Sequence, residues 1–331
     1  MNFSDFFNSY PGMYIAQSFM HSLIAAIIVD RSIQLWDINN PLIRQRFRLI
    51  VVLLPVLLFP LYQIINPDRG DISFRLNSLF DINRWLSLEL WGAISLGWFF
   101  ITIIVIATGI FLFQEMIPVL KHIFESKESA LDIIDPGDYP VVRQAMGHLP
   151  VEKPDVFILD DDEFVLFSRT GKDAAVFIST GVIKTLNVEQ LQAAITHEIA
   201  HIIRNKSPLL IIMFLFRIIM FFNPVVLLEF RRVTQEEEKI CDDITVSLTK
   251  NHHALSEALK KLYHKDKNIN TLQLGNLSEM RDSIEEYSHN VHIENRIIRL
   301  EKKSSMQKPY GEWFKLILTV IIIVGISYFV V

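Results

Sequence analysis

The sequence predicts a mostly helical, polytopic membrane protein that carries one mixed α+β domain between its membrane segments. Half of its 331 residues are hydrophobic and the mean hydropathy is +0.30, which is more apolar than is usual for a soluble chain of this length. Several apolar runs approach the roughly 20 residues that a transmembrane helix needs. A more polar central stretch contains a capped amphipathic helix and a β-hairpin pattern.

Four apolar runs are predicted to cross the membrane. They cover residues 13–29, 49–66, 90–113 and 316–331. The side chains that suit the membrane interface near these runs are Trp91, Trp98, Trp313 and Tyr328. The first run has no basic residue before it and no clear small-residue cleavage site after it, so we expect an anchor and not a removed signal peptide. The predicted domains are therefore a membrane domain over 1–113, a central domain over 114–312 and a C-terminal transmembrane helix over 313–331.

Basic residues predict how the chain is oriented in the membrane. Arginines follow the first run and lysines precede the last one: Arg31, Arg44, Arg46 and Arg48, then Lys302, Lys303, Lys308 and Lys315. The positive-inside rule then places the first loop and the central domain in the cytoplasm and both termini outside. Arginines in the second loop oppose this assignment, but acidic residues accompany them. The sequence thus predicts a multi-pass protein of the cell membrane whose central domain is cytoplasmic.

A capped helix in the central domain carries a metal-binding motif. Asn187 followed by Gln190 is typical of a helix N-cap with a capping box, and the helix continues through His197-Glu198-Ile-Ala-His201. Side chains four residues apart lie on one face of a helix, so both histidines can hold one ion. Glu198 lies beside them, where a carboxylate can take a proton from an attacking water. This H-E-x-x-H pattern predicts one zinc ion per chain and a metallopeptidase.

Zinc in such a site needs a third protein ligand, and the acidic residues 236–238 offer three candidates. If this segment is helical, Glu238 and Asp242 share one face, one as a ligand and the other as the partner of a ligating histidine. Most acidic runs are solvated surface, so spacing alone leaves Glu238 only modestly ahead of Glu236 and Glu237.

Several segments together resemble the BlaR/MecR-type membrane metallopeptidases. They are residues 181–191, the HEIAH motif, Phe221-Phe-Asn-Pro224 and Glu238-x-x-Cys241-Asp242. The resemblance implies a zincin-like peptidase domain in which Glu238 is the third zinc ligand and Asp242 its paired acid. Founding members carry an extracellular β-lactam-sensing domain after the last span. This sequence ends at Val331, so we expect the resemblance to cover the protease core and not that sensor.

The resemblance further implies that the protein hydrolyses peptide bonds of a cytoplasmic protein, a repressor or the chain itself, in signal transduction. One alternative is an HtpX-like quality-control protease. That family places two full spans between the motif and the third ligand, whereas 36 residues lie between His201 and Glu238 here. A second alternative is a non-catalytic receptor or scaffold that keeps the zinc fold. The expected partners are a protein or peptide substrate, the lipid bilayer and a second copy of the chain, and direct nucleic-acid binding is not expected.

Residues 207–230 form a further apolar run between the motif and the third ligand. A single crossing there would place His201 and Glu238 on opposite membrane faces. Arg217 and Asn223-Pro224 divide the run into apolar pieces of about ten residues, each too short to span. We therefore expect a membrane-embedded segment that returns to the cytoplasmic side.

Residues 163–179 predict a β-hairpin that turns at Thr170-Gly171. Its free edge either holds an extended substrate by strand addition or is purely structural, and the sequence does not decide between these two roles.

Overall fold

The computed structural model describes residues 6–7, 9–90, 92, 94–117, 133–134, 139–147, 149–151, 153–204, 208–263, 292–302 and 312–331. Most of these residues are helical. The helices are α1 (Tyr10–Leu35), α2 (Pro41–Ile65), α3 (Ile72–Leu76), α4 (Ile82–Leu86), α5 (Leu96–Phe111), α6 (Pro140–Gly147), α7 (Thr180–Thr185), α8 (Val188–Arg204), α9 (Pro208–Ile219), α10 (Pro224–Thr249), α11 (His252–Tyr263), α12 (292–301) and α13 (Glu312–Tyr328). The strands are β1 (Glu89–Leu90), β2 (Ile94–Ser95), β3 (Ile133–Ile134), β4 (Asp155–Leu159), β5 (Leu166–Arg169) and β6 (Ala175–Ser179).

The chain divides into two units. The first comprises Met1–Glu128, Leu209–Glu236 and Gln307–Val331, and the second comprises Ser129–Pro208 and Glu237–Met306. The first unit contains the apolar helices, and the second contains the four-stranded sheet and the motif helix α8.

Among the described residues, α1 and α2 are the helices long and apolar enough to cross a membrane. They contain the predicted run 13–29 and all but the last residue of the run 49–66, and each begins with proline in its first turn behind a capping side chain. The side chain of Ser9 accepts the N–H of Gly12, and that of Asn40 accepts the N–H of Leu42. The first two predicted spans are therefore helices of sufficient length, each with a defined start.

The other two predicted spans differ from the helices that the structure contains. Strands β1 and β2 pair with each other, and Gly92 between them has a φ of +67°, so α5 begins at Leu96 and not at residue 90. The last helix, α13, ends at Tyr328 because the following backbone hydrogen-bonds to the segment before α4. Leu79 N donates to Phe329 O at 2.9 Å, and Val331 N donates to Phe80 O at 2.9 Å. Whether these two helices span a membrane remains a prediction.

The predicted break in the apolar run 207–230 is present in the structure. Helix α9 ends at Ile219 and α10 begins at Pro224. Asn223 is fully buried at the break, where its Oδ1 accepts the N–H of Val225 at 3.1 Å and its Nδ2 donates to Ser22 Oγ at 2.9 Å. Arg217 is buried, with its guanidinium 4.0 Å from the ring centre of Phe230. The return of this segment to the cytoplasmic side stays a prediction.

The second unit is organised around a sheet with strand order β3-β4-β6-β5. Strands β4 and β6 are parallel, while β5 is antiparallel to β6 and forms the edge of the sheet. The β5–β6 pair is the predicted hairpin, and Gly171 lies in its turn with a φ of +110°, a conformation that favours glycine. The hairpin prediction is confirmed.

Helix α8 packs its apolar face into the core of the second unit. Leu191, Ile195 and Ile199 recur at helical spacing and are buried in one cluster with Ile178 of β6. Each such side chain stabilises the fold by roughly 1.5–3 kcal/mol through its removal from water. The predicted capping box starts this helix, because Gln190 N donates to Asn187 Oδ1 at 2.9 Å and Asn187 N donates to Gln190 Oε1 at 3.2 Å. The core packing and the capping box therefore keep the opposite face of α8 in a fixed position.

Candidate metal centre

Helices α8 and α10 bring the three predicted ligand side chains together. His197 Nε2 lies 3.4 Å from Glu238 Oε2, and His201 Nε2 lies 3.4 Å from Glu238 Oε1. One candidate ligand atom from each of the three residues lies within 4.8 Å of the other two. The two imidazole rings stand nearly perpendicular, with centroids 4.9 Å apart, so they do not stack and both can face the carboxylate.

The neighbouring side chains distinguish Glu238 from the other two acids of the run. Glu236 Oε1 lies 3.3 Å from Arg44 Nε. Both carboxylate oxygens of Glu237 accept hydrogen bonds from Arg204, at 2.8 and 2.7 Å. Successive residues on a helix point about 100° apart, so the three acids take three different directions. Of the three, Glu238 is the one that faces the histidines.

Asp242 lies one turn after Glu238, at the position predicted for a histidine partner. It is fully buried, and its Oδ1 lies 3.2 Å from His197 Nδ1. This contact turns the other ring nitrogen, Nε2, toward Glu238. Burial raises the pKa of Asp242, but the Arg296 guanidinium and His197 outweigh burial and hold the pKa well below its usual range. Asp242 is therefore ionised and can accept a hydrogen bond from a protonated Nδ1 of His197.

The charges of the centre are strongly coupled to one another. Burial lowers the pKa of His197, but hydrogen bonds from its ring to the carboxylates of Asp242 and Glu238 outweigh burial and raise that pKa to about 9. Burial raises the pKa of Glu238, but His197 and Arg296 lower it to about 2. Glu238 and Asp242 thus stay ionised, and their negative charges favour the binding of a cation.

Cys241 contacts the second histidine. Its Sγ lies 3.5 Å from His201 Nδ1, and the residue is fully buried. Burial raises the pKa of this thiol, and the acids of α10 raise it further. Cys241 is therefore a neutral neighbour that orients the ring of His201, and not a thiolate ligand.

A side chain of the sheet forms a hydrogen bond with Glu198, the predicted general base. Ser168 of the edge strand β5 donates a hydrogen bond of 2.9 Å from its Oγ to Glu198 Oε2. Glu198 is half-buried and directly follows His197 on α8, and it is not one of the three clustered ligands. The motif does not indicate Ser168, because this contact joins residues 30 apart in sequence.

Arg296 is a further member of the centre that the motifs do not indicate. It lies on α12, is 5% exposed, and donates to Asp242 at 2.9 and 2.7 Å and to Glu238 at 2.8 Å. Ile293, Ile297 and Leu300 bury one face of the same helix. An arginine beside such an apolar stripe is the sequence signal that could have identified it, because buried arginines are rare without acidic partners.

The donor set fits zinc. Zinc in catalytic sites takes three protein ligands, commonly two histidines and a glutamate, and keeps a fourth position for water or substrate. His197 and His201 offer imidazole nitrogens, and Glu238 offers a carboxylate that is ionised at neutral pH. The side-chain arrangement can therefore hold one zinc ion.

Comparison with known protein families agrees with this geometry. Residues 172–286 match the BlaR1 peptidase M56 family. The matched segment includes the motif helix, the break at Asn223 and the acidic part of α10, so the predicted resemblance to a BlaR/MecR-type membrane zinc peptidase is confirmed.

Curated relatives with shorter matches are named as HtpX protease homologues. The chain is 36% identical to that of Thermoanaerobacter pseudethanolicus over 83 residues, which are 23% of this chain and 27% of the relative. It is 28% identical to that of Streptococcus pyogenes over 105 residues, 30% and 35% of the two chains. The chain thus spans about a quarter to a third of the length of these relatives.

Proposed function

We propose that this chain is a membrane-embedded zinc endopeptidase that hydrolyses peptide bonds of a cytoplasmic protein in signal transduction. The observation that carries the proposal is the convergence of His197, His201 and Glu238, with ligand atoms within 4.8 Å of one another. The M56 family match over residues 172–286 supports the same assignment.

The residues of the centre have separable roles in this proposal. Bound zinc would polarise the scissile carbonyl and make the attacking water more acidic. Glu198 takes the proton of that water and delivers it to the leaving amine. Ser168 keeps the Glu198 carboxylate in place by its hydrogen bond to Oε2. Asp242 fixes the ring of His197 from the far side, so that Nε2 stays directed toward Glu238, with which it would hold the ion.

The edge strand β5 is suited to bind an extended substrate. Among the described strands it pairs with β6 alone, so the backbone groups on its other side are available to a peptide. Ser168, which contacts Glu198, belongs to this strand. A peptide added to β5 would therefore lie beside the general base, which favours the substrate-binding role of the hairpin over a purely structural one.

The similarity to HtpX protease homologues supports the second candidate, an HtpX-like quality-control protease of membrane proteins. The connection between the two ligand helices favours the first candidate. Between Arg204 and Glu238 the chain has room for α9, of 12 residues, and the first half of α10. Two complete spans of roughly 20 residues each would not fit.

Cleavage products in cells that express the wild type or Glu198→Gln at equal levels would separate the candidates. Quantitative mapping of new protein N-termini should give a small set of cytoplasmic cleavage sites that depend on Glu198. A broad set of cleaved membrane proteins would instead support the HtpX-like role. Identical N-termini in both strains would point to the third reading, a receptor or scaffold without turnover.

A further inference from the structure

Helix α12 brings a positive charge into the candidate metal centre. The guanidinium of Arg296 donates from Nε and Nη2 to the two oxygens of Asp242, at 2.9 and 2.7 Å, and from Nη1 to Glu238 Oε2 at 2.8 Å. Its Nη2 also lies 3.3 Å from His197 Nε2. One side chain, only 5% exposed, thus contacts both acids of the centre and a histidine.

The contact with His197 uses the atom that a metal would need. A neutral imidazole has one proton and one lone pair on its two nitrogens. To bind a metal, His197 must be neutral, and because Asp242 faces Nδ1, the remaining proton belongs there and the lone pair lies on Nε2. An N–H of Arg296 and a zinc ion cannot both take this lone pair. Glu238 is shared in the same way, because Nη1 occupies Oε2, the oxygen nearest to His197.

We propose that Arg296 is a substitute cation of the metal centre. While no ion is bound, Arg296 offsets the negative charges of Glu238 and Asp242. When the ion binds, Arg296 loses its contacts with His197 and Glu238 and keeps its paired contact with Asp242. The proposal rests on the zinc centre proposed above. A group that stabilises the free ligands more than the loaded ones weakens metal binding by the same factor, and a second positive charge nearby also repels the ion.

A substitute cation and a positioning residue predict opposite effects of an Arg296 replacement on zinc affinity. If Arg296 served only to hold Asp242 and Glu238 in place, its loss would weaken zinc binding. If it is a substitute cation, its replacement should make the free protein less stable and zinc binding tighter.

Arg299 provides a matched control on the same helix. Its Nη2 donates to both oxygens of Asp243 at 2.7 Å, and its Nη1 donates to Lys239 O at 3.2 Å. It therefore ties α12 to α10 through a paired acid, as Arg296 does. Its contacts are with Asp243 and Lys239 and not with the three candidate ligands.

The test compares Arg296→Gln, Arg296→Lys and Arg299→Gln with the wild type, each as the full chain in detergent. Zinc is removed with a chelator, its affinity is measured by competition with a fluorescent zinc indicator, and thermal unfolding is followed with and without zinc. Arg296→Gln should bind zinc about ten-fold more tightly, since at least one hydrogen bond to a charged group no longer has to break. Its unfolding temperature without zinc should fall, and the rise on zinc addition should exceed that of the wild type.

The two other variants limit the interpretation. Arg299→Gln should lose stability equally with and without zinc and keep the wild-type affinity. Arg296→Lys keeps a charge without the forked geometry and should bind zinc more tightly than the wild type but less tightly than Arg296→Gln. If Arg296→Gln does not fold, the zinc affinity of Arg296→Lys relative to the wild type tests the proposal.

Unchanged or weaker zinc binding in the Arg296 variants, with the wild type binding zinc, would overturn the substitute-cation role and leave the centre intact. A wild-type chain that binds no zinc would instead overturn the centre itself.

Discussion

Ser168 and Glu198 are joined by a hydrogen bond of 2.9 Å, although one lies on the edge strand β5 and the other on the motif helix α8. The bond connects the strand suited to hold a peptide with the residue proposed to transfer the proton. In the proposed function, substrate binding and general-base catalysis would therefore depend on the same junction between sheet and helix.

Replacing the general base should separate metal binding from catalysis. Glu198→Gln is nearly isosteric, and its amide can still accept the hydrogen bond from Ser168, but it cannot take a proton. We expect full zinc content and a loss of peptide cleavage of roughly 100-fold or more. Elemental analysis and a fluorogenic peptide assay on the same preparation measure the two properties. Ser168→Ala, which retains the Glu198 carboxylate but not the hydrogen bond that positions it, should lose much less activity. Peptide cleavage by Glu198→Gln at the wild-type rate would refute the general-base role of Glu198.

Replacing the acids of α10 should identify the third ligand. Glu238→Ala should lose stoichiometric zinc, because a single ion then retains only His197 and His201. Glu236→Ala and Glu237→Ala serve as controls, since these acids face Arg44 and Arg204, and both should keep about one zinc per chain. Zinc loss in a control with full zinc content in Glu238→Ala would reassign the ligand.

Replacing the buried partner of His197 should weaken the centre without removing a ligand. Asp242→Asn keeps the shape of the side chain but loses the charge beside Nδ1. We expect zinc affinity to fall about 10–100-fold, as is common for such partners, with one zinc per chain at saturation. Titration with a zinc indicator measures both values. An unchanged affinity would mean that Asp242 does not act through His197.

Gly181, at the junction of β6 and α7, should not tolerate a side chain. A Cβ there would lie 2.3 Å from the backbone oxygen of Asp162, so the main chain would have to move. We expect Gly181→Ala to cost about 1–3 kcal/mol of unfolding free energy and to lower the thermal midpoint measurably. Gly147→Ala is the control, since nothing lies within 4 Å of its added Cβ. Equal midpoints for the two variants would contradict this account.

The membrane orientation is the prediction most exposed to test. Residues 31–48, 114–206 and 231–312 are expected in the cytoplasm, with 67–89 and both termini outside. Single cysteines at positions 78, 150 and 265, in a Cys241→Ser background, can be labelled on intact cells with an impermeant thiol reagent. Position 78 should react and the other two should not. Opposite results at 150 and 265 would place the two ligand helices on different sides, and a centre built on Glu238 would then be excluded.

The parts of this protein that its sequence determined are those that depend on local spacing. The pairing of His197 with His201 follows from the four-residue repeat of a helix, and the capping box at Asn187 follows from a three-residue one. The hairpin at Gly171 and the helix break at Asn223 follow from turn chemistry and from the missing N–H of proline.

The tertiary structure decided the rest, because the choice depends on which distant groups meet. Spacing leaves Glu238 only modestly ahead of Glu236 and Glu237, and the packing of α10 against α8 places Glu238, and not its neighbours, at the histidines. Ser168 lies 30 residues from Glu198, and Arg296 lies 54 from Asp242, so no local pattern relates them. A buried charge needs a partner wherever the chain can supply one, and that partner is fixed by three-dimensional proximity rather than by spacing along the chain.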